Sequence, residues 1–152
     1  MTSVTLGLRG FIAESNHIEG IDREPFDREI EAAERFLRIV EPTAIDLGDM
    51  QAVFAPGKPL RERVGMDVCV GEYMAPEGGP QIVAALNKIM RSARGGVHPW
   101  KVHVRFEKLH PYLDGNGRTG RMLWLWGMER QGRRGFALPF LHWFYYQTLE
   151  HL

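Results

Sequence analysis

The stretch from His110 to Arg121, reading HPYLDGNGRTGR, constrains what this chain can fold into more than any other. Pro111 halts any helix that arrives at His110. Asp114, Gly115, Asn116 and Gly117 then make a turn. Residues 117–131 resume as a helix whose MLWLWGM core is apolar most of the way round, the pattern of an element buried on all sides. The chain must therefore be built around this central helix, with a turn of unusual chemistry at its start.

That turn reads as an anion site. Gly115 and Gly117 let consecutive N–H groups point inward at a negative charge. The N-terminus of the following helix adds partial positive charge and unpaired N–H groups. Arg118 and Arg121, three residues apart, project to one side of that helix. Two guanidinium groups beside an amide nest describe a polyphosphate site. Asp114 at its lip would repel phosphate unless it holds a divalent cation, and Mg²⁺ is bound by one or two carboxylates plus phosphate oxygens. His110 adjoins this assembly and, with an ordinary pKa near ~6.5, can accept a proton at neutral pH. A bare Asp-Gly-Asn-Gly is usually only a helix connection. The flanking His, Asp and two Arg reverse that reading, because a simple turn needs none of them.

The remaining punctuation predicts a mainly α chain with one small β element. Phe26, Ile30, Ala33, Leu37 and Val40 fall on one face of a helix over 25–40, started by Pro25 and carrying Glu31–Arg35 and Glu34–Arg38 pairs outside. A shorter helix over Leu8–Ile18 is weakened by Gly7 and Gly10. Another over 43–54 takes Thr43 as N-cap. Residues 56–79 carry eight Gly and Pro. Within them Val64, Met66, Val68 and Val70 alternate, predicting a strand or hairpin from Val64 to Met74 with these four side chains facing one way. Helices follow over about 82–93, 99–109 and 139–149. His103 and His110 share a helix face, but no third ligand is spaced to match, so His103 is assigned to the core. The same holds for Trp100, Trp124, Trp126 and Trp143.

Composition excludes several classes. A chain of 152 residues with 44% hydrophobic and 25% charged residues has the length and balance of one globular domain. One cysteine, Cys69, excludes an intrachain disulfide and a cysteine-rich zinc site, and fits a reducing compartment. No apolar run approaches ~18 residues and the N-terminus lacks a secretory pattern, so no membrane span and a cytoplasmic location are expected. Net charge is zero, yet residues 13–50 hold eleven acids against four bases, and residues 91–121 hold seven bases against two acids. The second segment suits phosphate, whereas nothing resembles a long basic arm for nucleic acid.

The loop resembles the active-site signature of the Fic family, HPFx[DE]GNGRxxR, at every position but Tyr112, where Phe is usual. His103 matches a frequent family histidine, and residues 61–76 sit where Fic domains carry a flap hairpin. Gly117 separates the chain from the Doc branch, which has Lys there and acts as a kinase. The resemblance implies a Fic-type helical domain and a protein adenylyltransferase using ATP and Mg²⁺. His110 would be the general base, Asp114 the Mg²⁺ ligand, and Gly115, Asn116 and Gly117 the anion hole. Arg118 would hold the β- and γ-phosphates and Arg121 the γ-phosphate. A target protein would dock on the flap through Val64, Met66, Val68 and Val70. Ser15-Asn-His-Ile-Glu19-Gly20 resembles the family's inhibitory motif, [ST]xxxE[GN]. Residues 1–24 would then be an inhibitory segment ahead of a core over 25–152, with Ser15 bracing the helix and Glu19 blocking Arg121. The loop contacts phosphates rather than the base, so UMP, phosphocholine or phosphate transfer, removal of AMP, and a non-catalytic nucleotide-binding role stay open.

Overall fold

The computed structural model describes residues 2–133. Its elements are α1 (Thr2–Ile18), α2 (Asp27–Arg38), α3 (Ala44–Phe54), β1 (Cys69–Val70), β2 (Tyr73–Met74), α4 (Pro80–Arg94), α5 (Pro99–Leu109) and α6 (Asn116–Arg130). The helix expected over 139–149, with Trp143, lies outside the described residues. The fold is mainly α, as the punctuation predicts.

The apolar run of α6 becomes the centre of the molecule. Its residues from Asn116 to Met128 are buried almost without interruption, and α1, α2, α3 and α5 all pack on it. Burying a helix on every side is what its all-round apolar sequence demands. Trp126 meets its polar requirement by donating from Nε1 to the Ile39 carbonyl at 2.9 Å.

Local chemistry shifts several expected boundaries. The first helix begins at Thr2 rather than Leu8 and runs through Gly10, which is exposed and where an added Cβ would meet nothing within 4 Å. The second begins at Asp27, because extended Phe26 is the N-cap and Glu29 reaches back to its N–H at 2.7 Å. Glu29 is itself buried and takes a two-pronged bond from Arg23, at 2.9 and 3.2 Å. The buried face is accordingly Ile30, Ala33 and Phe36, not the expected stripe ending at Leu37 and Val40. Val40 lies past the helix end and is 67% exposed. Thr43 caps α3 as expected, with Asp46 completing the reciprocal pair.

The β element is shorter than the alternation implies. Only Cys69–Val70 and Tyr73–Met74 pair, antiparallel, with Cys69 opposite Met74 and Val70 opposite Tyr73. Val64 sits in a turn closed by Met66 N–H on the Arg63 carbonyl and is 88% exposed. Val64, Met66, Val68 and Val70 do not share a face: Val64 and Val70 are exposed, while Met66 and Val68 are half-buried. The reason lies in how the stretch is held. Met66 gives its carbonyl to the Arg61 side chain, and Asp67 accepts from the Gly78 N–H, so side chains fix this segment in place of a ladder. The Arg63 and Met66 carbonyls also crowd Gly78, where a methyl group would meet them at 2.7 and 2.5 Å.

Candidate active site

The junction of α5 and α6 gathers the residues of the signature. His110 caps α5 at φ 50° and ψ 61°, the one non-glycine with positive φ among the described residues. Its Nδ1–H donates to the Glu107 carbonyl at 3.3 Å, a tautomer that leaves the lone pair on Nε2. Burial pushes its pKa below the ordinary histidine value, and the Arg61 charge acts in the same direction. The imidazole is therefore neutral and basic at pH 7.

The loop after it is braced from three directions. Leu60 bridges Tyr112, Arg61 N–H donates to the Pro111 carbonyl at 2.8 Å, and Leu113 N–H donates to Pro59 at 3.1 Å. Tyr112 is buried against Phe106, and its hydroxyl reaches over Gly48 of α3. Burial, with Asp49 nearby, keeps that hydroxyl protonated. The Asn116 side chain closes on the Tyr112 backbone in both directions, at 2.9 and 2.8 Å. It thus shapes the loop, leaving its N–H for the nest. Gln51 spans from α3 to the Lys58 and Asp114 carbonyls. Gly115 turns the chain at φ 77°, where a Cβ would also strike Ala55. The first-turn N–H groups of α6 that follow have no intrahelical acceptors.

Charged side chains surround this nest. Asp114 is exposed and accepts from Gly115 N–H at 2.7 Å. Among the described residues no three carboxylate, His or Cys groups converge on a metal position. One exposed carboxylate fits Mg²⁺ that arrives with a polyphosphate, because such an ion takes its remaining ligands from phosphate and water. Arg118 lines the cleft and is anchored by Nη1 to the Phe54 carbonyl at 2.7 Å. Arg121 is 1% exposed; Nε donates to Ser15 Oγ at 2.6 Å, and Nη2 to the Ser15 carbonyl at 3.0 Å and Glu19 Oε1 at 2.8 Å. Glu19 leaves α1 in a tight turn with Gly20 at φ 76°, Gly20 N–H on the His17 carbonyl and Ile21 N–H on that of Asn16. This is a glycine-capped helix end of the Schellman type, which aims the carboxylate into the cleft. Its Oε1 fills the space a side chain on Gly117 would need.

Three supporting residues carried no signal in the sequence. Gln51 and Arg61 act through main-chain carbonyls, which no residue pattern reveals. Glu107 lies one helical turn before His110, and its Oε1 is sealed from solvent without a hydrogen-bond partner, in a notch that only Gly120 leaves open. Burial pushes the Glu107 pKa from 4.5 up to about 8, and the His103 pKa from 6.5 down to about 3. His103 is a buried structural residue whose Nδ1–H donates to the Gly120 carbonyl at 2.9 Å. Held neutral, His103 contributes stability that is lost as pH falls from 6.5 towards 3. Glu107 contributes stability that is lost as pH rises from 4.5 towards 8. The two oppose each other at intermediate pH, and only the loss at Glu107 remains above 6.5. Denaturant melts should show the wild type losing about 1–2 kcal/mol from pH 6.5 to 8, with the loss absent in Glu107→Gln. An equal loss in both proteins would show that Glu107 is already ionised in the fold.

Helices wrapped around a buried helix, with a glycine turn at its start and a histidine before it, define a mainly α domain of the Fic type. The sequence model of the Fic/DOC family matches residues 45–126, from α3 into α6 and more than half of the chain. The protein belongs to the Fic/DOC family, whose members are typically transferases that modify proteins by nucleotide transfer. Comparisons with curated proteins and with solved structures gave no match. Among the described residues no helix is long and apolar enough to cross a membrane.

Proposed function

We propose that this protein transfers AMP from MgATP to a Ser, Thr or Tyr hydroxyl of a target protein. The observation that carries this reading is one cleft of ≈ 1170 Å³ lined by His110, Asp114, the Gly115–Gly117 nest, Arg118 and Arg121. A space of this size takes a nucleotide, and its groups match the order of charges along a triphosphate. His110 Nε2 takes the proton of the target hydroxyl. The hydroxyl oxygen bonds to the α-phosphorus as its bond to the β-phosphate oxygen breaks, releasing pyrophosphate. Nest N–H groups stabilise charge on the α-phosphate, Arg118 holds the β- and γ-phosphates, and Arg121 orients the γ-phosphate. Mg²⁺ on Asp114 supplies further charge neutralisation when bound with ATP. A cytoplasmic location would supply both nucleotide and metal.

The hairpin supports a docking role for the target. Val70, Tyr73 and Met74 are exposed on its two short strands, and residues 68–73 form one wall of the cleft. A target segment would pair along this edge by main-chain bonds. Residues 1–24 act as an inhibitory segment in this reading, with Glu19 on Arg121 excluding the γ-phosphate and Ser15 bracing the same guanidinium.

The test is mass spectrometry of Glu19→Gly after incubation with each of ATP, GTP, CTP and UTP plus Mg²⁺. An added AMP from ATP alone supports the proposal. A lone added phosphate, or a UMP adduct, would assign the site to another Fic chemistry.

A further inference from the structure

A buried guanidinium that phosphate binding does not use sits behind His110. Arg61 precedes the hairpin and is fully buried. Its Nε donates to the His110 carbonyl at 2.7 Å and its Nη2 to the Leu109 carbonyl at 2.9 Å. Its Nη1 donates to the Met66 carbonyl at 3.0 Å and the Pro76 carbonyl at 2.8 Å. All four acceptors are main-chain oxygens, and no carboxylate of the described residues pairs with it.

Burying a cation that no carboxylate contacts is costly, and it persists where its donors are met; Asp67 offsets the burial only through its charge at longer range. Each pair of acceptors explains part of the arrangement. Leu109 and His110 end α5, where unpaired carbonyls and the negative end of the helix dipole favour a cation. Met66 and Pro76 flank the hairpin, one on the way in and one on the way out. His110 meanwhile occupies a left-handed conformation that is uncommon and mildly unfavourable for a residue with a Cβ.

We infer that Arg61 is a positioning residue that holds His110 in its left-handed cap and ties that cap to the hairpin. The base and the surface presenting the target hydroxyl then keep one register. The inference rests on the proposed transfer reaction, since it is there that the hairpin carries the target. The phosphate loop is braced through Gln51, Asn116, the start of α6 and the Arg61 main-chain N–H on Pro111, which Arg61→Lys keeps, so nucleotide binding does not depend on the guanidinium.

Arg61→Lys keeps the charge but cannot span four carbonyls. In the Glu19→Gly background it should lower kcat by about 10–100-fold, the scale of a misplaced reacting group, and leave MgATP affinity and KM unchanged. Amide exchange across residues 62–78 should quicken, and the His110 ring signals in NMR should move. Asp67→Ala supplies a variant that leaves the guanidinium in place. Asp67 is exposed, holds the hairpin neck through Gly78 N–H at 2.9 Å, and acts on the guanidinium through its charge alone, without contact. It should move the His110 signals in the presence of Arg61 and add nothing in Arg61→Lys. Equal losses of MgATP affinity and turnover, or His110 signals unmoved in Asp67→Ala, would overturn the inference. The second result decides the matter even if Arg61→Lys does not fold. If Glu19→Gly transfers no group from any nucleotide, the proposed reaction fails, and the NMR comparison still decides the role of Arg61.

Discussion

Glu19→Gly is expected to raise AMP incorporation by roughly 30–150-fold, the equivalent of about 2–3 kcal/mol for a charge-assisted bond to a largely buried guanidinium. The carboxylate holds Arg121 at 2.8 Å and is 38% exposed, while the guanidinium is 1% exposed. Removing the carboxylate leaves the two bonds from Ser15 to hold Arg121 in place. In the proposed reading the side chain stays in place for the γ-phosphate while the competing carboxylate is removed. Affinity for ADP, which has no γ-phosphate, should change much less than the rate. A time course of AMP incorporation for the wild type and Glu19→Gly, with ADP titrations of both, is the measurement. Equal rates would remove the inhibitory role.

Loss of His110 should be the more damaging change. His110→Ala in the Glu19→Gly background is expected to lower transfer by about 10²–10⁴-fold, the usual worth of a positioned base. MgATP binding should persist, because the nest, Arg118 and Arg121 are untouched. The pH profile of Glu19→Gly should carry the signature of a depressed pKa. A base buried and beside Arg61 loses its proton below the ordinary histidine range, so the acid limb of kcat should fall below 6.5, with a plateau above it. Parallel assays of adduct formation and nucleotide affinity separate the two roles of the site. Transfer that survives in the double variant, or an acid limb above 6.5, would remove His110 as the base.

Much of this was legible before any coordinates. The order of helices came from Gly and Pro punctuation, and the boundaries of α5 match because Pro99 and Pro111 mark its ends in the sequence. The face of α2 was misplaced, because Glu29 is buried in a pair with Arg23 and periodicity counts acids as outside. The hairpin was overextended, because alternation over Val64–Val70 says nothing of a guanidinium one residue beyond Leu60. Site residues within HPYLDGNGRTGR could be named because their chemistry is carried by side-chain type and spacing. Arg61 and Gln51 could not, since their partners are carbonyls that every residue possesses. Glu19 was picked out by a short motif whose commonplace reading, a glycine-capped helix end, is what the structure shows, together with its contact to Arg121.

That double identity has a consequence for how such a protein is tuned. The carboxylate on Arg121 is carried by the residue just past the end of α1, and helix ends as a class open at lower cost than a domain's core. Under the proposed inhibition, resting output would follow the capping equilibrium at Gly20. Under that proposal, residues on the outer side of the turn would tune the inhibition without touching nucleotide or target.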